Sequence, residues 1–179
     1  MVVQLPEYHR AQTDPNARST WAALREAQSA AQRLPNVGLA VTLGLGDTDD
    51  VHPIDKAPVG ERLARQALAR VYGQPVVASG PVFRSMAREG GAIRVRFESV
   101  GGGLTAQGGA LRGFAVAGAD QRFVWADARI EGNTVVVSSP DVTAPVAVRY
   151  AWGDNPPATL QNAEGLPAAP FRTDTWPLR

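Results

Sequence analysis

The hydrophobic pattern of this 179-residue chain changes period once, near Pro75. That change limits the possible folds more than any other feature. Up to Gly73 the apolar residues recur at helical spacing or in short unbroken runs. VVQLP (2–6) is a short apolar run ended by proline, consistent with a buried strand. STWAALREAQSAAQRL, from Ser19, places Trp21, Leu24, Ala27, Gln28 and Ala31 at helical spacing, with Ser19 or Thr20 able to cap. GLAVTLGL (38–45) is apolar on both faces, as strands of a helix-covered parallel sheet are. APVGERLARQALARVYG (57–73) reads as a second amphipathic helix. Its core stripe is Val59, Leu63, Ala67 and Leu68, with Val71 beyond, and Gly73 is its C-cap. Strand, helix, strand, helix predicts the terminal part of a parallel α/β sheet over residues 1–74.

Beyond Pro75 the period is two. AIRVRFESV (92–100) alternates Ile93, Val95 and Phe97 against Arg94, Arg96 and Glu98. RFVWADARIEGNTVVVSS (122–139) predicts a hairpin turning at Gly132–Asn133, and APVAVRYAW (144–152) alternates again. Short alternating strands with glycine-rich connections predict a small antiparallel β-sandwich over residues 75–150. Residues 151–179 are rich in proline, with little periodicity. They are too apolar and aromatic for a disordered tail, so they read as an extended arm packed on the preceding domains.

The bulk properties exclude several classes of function. A net charge of +1, with no basic run, argues against nucleic-acid and membrane-surface partners. The absence of cysteine removes disulfides, thiol catalysis and cysteine-based zinc sites. No window holds the roughly 18 consecutive apolar residues of a membrane span. MVVQLPEYHR lacks the apolar core and cleavage site of a signal peptide.

The chemistry concentrates in GDTDDVHP (46–53), which sets Asp47, Asp49 and Asp50 beside His52, one of only two histidines. The stretch follows an apolar strand, at the carboxyl edge where open α/β sheets bind ligands. A carboxylate on Nδ1–H would leave Nε2 free as a general base, and Asp49 stands at the D-x-x-H offset. The bland alternatives are a solvated acidic loop or a loose cation site. Such a pair calls for a nucleophile. None of the serines lies in a G-x-S-x-G, G-D-S or G-Q-S turn; Ser79, in ASGP, comes nearest in appearance. His9 reads as a surface residue. Arg25 and Gln28 share a helical face, where they either reach a substrate or another loop, or brace the neighbouring strand.

Taken together, VQLPEY, WAALREAQ, LPNVGLAVTLGLGDTDDVHP, DKAPVGERLARQALARVYG, GPVFRSM, GGGL with GFAVAGAD, VVVSSP and VRYAWGDNPPATLQNAEGLPAAPFRTD resemble the C-terminal portion of sialate O-acetylesterase-like carbohydrate acetylesterases. The resemblance covers nearly the whole chain. It implies the end of an SGNH-type, flavodoxin-like three-layer domain followed by the β-sandwich. It further implies a serine esterase that needs no cofactor or metal and removes O-acetyl groups from sialic acid or from xylan or xyloglucan. By the same resemblance His52 is the base, Asp49 its orienting acid with Asp47 and Asp50 as alternatives, and the nucleophilic serine lies outside this chain. The chain alone is then expected to be inactive. Its first region would need the missing segment, a second chain or self-association to cover apolar surface. A periplasmic or extracellular location also follows from the resemblance. The rival reading is a non-catalytic carbohydrate-binding or structural accessory module.

Overall fold

The computed structural model describes residues 1–177, so the last two residues of the proline-rich arm, 178 and 179, lie outside the described residues. The chain opens with β1 (Val2–Val3), followed by α1 (Thr20–Ala30), β2 (Leu39–Ala40) and α2 (Ala57–Arg70). Ser19 caps α1, its Oγ accepting the Ala22 N–H at 2.8 Å. β1 and β2 pair in parallel, Val2 opposite Leu39 and Val3 opposite Ala40. Gly73, at φ +64, ends the α2 turn in a left-handed conformation that suits glycine.

The remaining strands are β3 (Val82–Glu89), β4 (Ala92–Glu98), β5 (Leu104–Ala106), β6 (Phe114–Ala117), β7 (Phe123–Trp125), β8 (Asp127–Glu131), β9 (Thr134–Ser138), β10 (Ala147–Tyr150), β11 (Leu160–Asn162) and β12 (Phe171–Arg172). One antiparallel sheet has the order β3-β4-β9-β8 and another the order β12-β10-β6-β7, while β11 pairs with β5. Alternation explains the layers. Ile93 and Val95 of β4 and Val135 and Val137 of β9 face Phe114 and Val116 of β6 and Val148 and Tyr150 of β10 in one core. The β8–β9 hairpin turns at Gly132 and Asn133, with Glu131 opposite Thr134 and Gly132 at φ +58. The proline-rich arm is woven into this region. It supplies β11 and β12 and buries Leu160, Leu166 and Phe171.

The expected flavodoxin-like three-layer parallel sheet is not present among the described residues. Three of the four sheets are antiparallel, and the single parallel pair is two residues long on each strand. The molecule is a small β-sandwich-like assembly carrying two short helices. The apolar run GLAVTLGL suggested a long central strand, but its burial has another origin. Leu39, Val41 and Leu43 pack into the same core as the sandwich, and the chain turns immediately afterwards, the Leu45 N–H donating to the Thr42 carbonyl. Apolar character on both faces records burial, and a strand in a ladder was only one way to achieve it. The α2 stripe departs in the same manner. Gln66 is the buried residue of that helix, donating through Nε2 to the Leu39 and Ala78 carbonyls, whereas Val71 is 70% exposed.

The loop after β10 and strand β12 tie the two regions together. Ser19 Oγ donates to Asp154 Oδ1 at 2.5 Å, Asn155 Nδ2 donates to the His9 carbonyl at 2.8 Å, and Arg172 of β12 pairs with Glu26 of α1 at 2.8 Å.

Candidate functional site

His52 stands on the loop between β2 and α2, with its side chain 80% exposed. Its Nδ1 lies 2.9 Å from Asp50 Oδ1, and the same oxygen accepts the His52 backbone N–H at 2.8 Å. An ionised carboxylate only accepts hydrogen bonds, so the proton of a neutral ring belongs on Nδ1 and Nε2 is left bare. The two bonds from His52 hold the Asp50 carboxyl below its ordinary range, the backbone bond contributing most.

The other two aspartates do different things. Asp47 Oδ1 accepts the Asp49 N–H at 2.8 Å and so closes the preceding turn. Asp49 is exposed, and its carboxylate has no hydrogen-bond donor among the described residues. The structure therefore brings Asp50, rather than the residue at the D-x-x-H offset, onto the ring. A hydrogen bond across two residues closes a local turn without needing a helical register.

Among the described residues no serine hydroxyl reaches His52; Asp50 is the ring's hydrogen-bond partner. Ser19 is committed to α1 and Asp154, and Ser29 Oγ accepts from Gln4 at 2.8 Å. No group of three or more histidine, aspartate or glutamate side chains is arranged to hold a metal ion among these residues. Clefts of about 510, 560 and 610 Å³ occur, but residues 47–52 line none of the three.

Arg25 is fully buried and faces away from solvent. Nε donates to the Leu5 carbonyl at 2.9 Å and Nη1 to that of Gly153 at 2.7 Å, while Nη2 donates to those of Asp154, at 3.0 Å, and Pro6. Burial lowers its pKa to about 10, with Glu7 and Asp154 opposing the fall. Gln28 accepts the Leu5 N–H at 3.0 Å. Both side chains brace residues 5 and 6 in this structure. His9 is exposed, at φ +71, with its ring against Tyr8.

A residue that the sequence did not single out anchors the histidine loop. Glu7 is buried, and its two carboxylate oxygens accept the N–H groups of Gly44, at 2.5 Å, and Gly46, at 3.1 Å. Gly46 passes so close that a Cβ there would overlap the Glu7 main chain. From α2, Arg62 Nη1 donates to the carbonyls of Val41, at 2.7 Å, and Leu43, at 3.2 Å. The loop base is thus gripped through its N–H groups by Glu7 and through its carbonyls by Arg62. One hint was visible in GLGD, where two glycines one residue apart precede an acidic cluster and suggest close backbone approach.

No family model matches the chain, and neither does any curated protein. Its structure is similar to the crystal structure of a carbohydrate acetylesterase from Xanthomonas citri, with 46% sequence identity and a TM-score of 0.91. The match covers 98% of this chain and 41% of that protein, so the chain spans about two fifths of the acetylesterase it resembles.

Proposed function

We propose that the chain supplies the general base of a serine esterase that removes O-acetyl groups from a carbohydrate, of the sialate O-acetylesterase type. The observation that carries this reading is the His52–Asp50 pair, 2.9 Å apart, which leaves Nε2 bare and 80% of the side chain open. The likeness to a carbohydrate acetylesterase at 46% identity supports the reaction class. In the proposed reaction Nε2 takes the proton of a serine hydroxyl as its oxygen attacks the acetyl carbonyl. The imidazolium then returns that proton to the departing sugar oxygen. Water attacks the acetyl-enzyme with the same base, releasing acetate and restoring the serine. The proposed substrate is an acetylated sugar such as sialic acid, xylan or xyloglucan, met in the periplasm or outside the cell.

The serine belongs to polypeptide outside these 179 residues, either an upstream segment of the same esterase or a second chain. Surface composition supports that proposal. Val3, Leu24, Leu34, Ile54, Val71 and Tyr72 are large exposed apolar residues, and all lie in the first 74 positions.

Turnover of p-nitrophenyl acetate tests the reading. The 179-residue chain alone is expected to stay at background. The polypeptide extended by the residues encoded upstream is expected to turn over substrate, losing activity in His52→Ala and most of it in Asp50→Asn. Turnover that survives His52→Ala would refute the assignment of the base.

A second reading is favoured by one cleft. Trp125 donates Nε1–H to the Thr13 carbonyl at 2.8 Å, and it lines the 610 Å³ cleft together with Gln12, Arg112 and Asp127. A fixed indole among polar side chains suits a sugar ring, as in a carbohydrate-binding module. Retention of the chain on a xyloglucan affinity gel that is lost in Trp125→Ala would favour that role.

A further inference from the structure

We propose that Glu7 is the positioning residue of the His52 loop, so that this buried carboxylate, remote in sequence, fixes where the base stands. The inference rests on the reading of His52 as the base. His52 and Asp50 orient one another through a contact two residues long, and nothing in that contact relates them to the rest of the protein. The loop tip is exposed from Thr48 to Asp50 and again at His52. Its location is therefore set at its base, where the N–H groups of Gly44 and Gly46 rest on the two Glu7 oxygens and Arg62 holds the Val41 and Leu43 carbonyls.

The surrounding charges explain why a buried glutamate persists here. Arg25 and Arg62 both feel the Glu7 charge, which opposes the lowering that burial imposes on each. Neither guanidinium bonds the carboxylate; both are spent on main-chain carbonyls. The Glu7 oxygens consequently remain available as acceptors for the loop. Charge-assisted bonds of this kind are shorter and stronger than neutral ones, and they fix direction as well as distance. The neutral amide introduced by Glu7→Gln would offer one oxygen and one NH₂ donor, so one of the two glycine N–H groups would face another donor.

The test compares the wild type with Glu7→Gln, Glu7→Asp and Glu7→Ala in the full 179-residue chain by NMR, and in the extended polypeptide by esterase kinetics. In Glu7→Gln the amides of Gly44 and Gly46 are expected to exchange about tenfold faster or more, while those of Val95, Val135 and Val148 keep their protection. His52 ring signals should shift or broaden in the same variant. In the kinetics, kcat should fall about tenfold or more with KM unchanged, and Glu7→Asp should recover part of the loss. Glu7→Gln keeps the volume, so the experiment stays readable if Glu7→Ala does not fold. Unchanged Gly44 and Gly46 exchange in Glu7→Gln would overturn the clamp. Faster exchange with unchanged kcat would overturn its role in positioning the base. Persistence of turnover in His52→Ala would instead refute the base itself, which separates the two failures.

Discussion

In residues 1–74 the buried side chains include Gln4, Glu7, Arg25, Thr42 and Gln66, beside Pro6, Ala22, Leu39, Ala40, Val41 and Leu43. In the β region they are chiefly apolar, with Ile93, Val95, Val116, Val135, Val137 and Val148 fully enclosed. The first region is thus joined by hydrogen bonds from particular side chains to particular main-chain groups, with Leu39, Val41 and Leu43 reaching the sandwich core, and the second by that continuous apolar core. The two respond differently to change. An apolar core tolerates a change of shape at moderate cost, because its forces are non-directional. A polar joint loses nearly everything when one partner goes, since the other is left buried and unpaired. The candidate site stands on the polar region.

The contrast can be pressed with substitutions of decreasing cost. Arg25→Met should be the most damaging, because it strips a partner from the carbonyls of Leu5, Pro6, Gly153 and Asp154. A loss of about 4 kcal/mol or more is expected in urea denaturation, enough to unfold a marginal domain. A loss below that of a core methyl deletion would show that the joint is not polar in its energetics. Gly46→Ala comes next, at about 2 kcal/mol, since its Cβ meets the Glu7 main chain. Ile93→Val removes one methyl from the β core and should cost about 1 kcal/mol. Val71→Ser and Tyr72→Ser, at exposed positions, should leave stability within about 0.5 kcal/mol. Light scattering should nonetheless show less self-association of the chain. A monomeric wild type would count against an apolar surface awaiting cover.

The smallest effect concerns pH. The folded-state titration of Asp50 lies below its ordinary value because His52 bonds the charged form. The contribution of that contact is therefore present above the unfolded carboxylate pKa and fades as pH falls through the depressed folded value. Carbon-detected NMR of the Asp50 carboxyl should show the low titration point, and His52→Ala should move it upward.

Much of the β region was legible because alternation reports burial directly, as Ile93, Val95 and Phe97 illustrate. Both helices were legible from spacing and from Ser19. The sheet of the first region was not, since only Leu39 and Ala40 of GLAVTLGL pair in a strand while Leu39, Val41 and Leu43 are buried in the sandwich core. In the candidate site, His52 and its three aspartates could be found by composition. Which aspartate holds the ring depended on a local turn, and Glu7 depended on the β1–β2 pairing that brings residue 7 beside residues 44–46. Neither relation has a fixed spacing to read.

In the proposed role His52 acts as a base, with the proton of its neutral ring on Nδ1. Long-range proton–nitrogen correlation of the neutral imidazole, on the intact chain, tests this directly. A protonated Nδ1 and an unprotonated Nε2 are expected, with the preference weakened in Asp50→Ala and unchanged in Asp49→Ala. A ring protonated on Nε2, or one indifferent to Asp50, would contradict it.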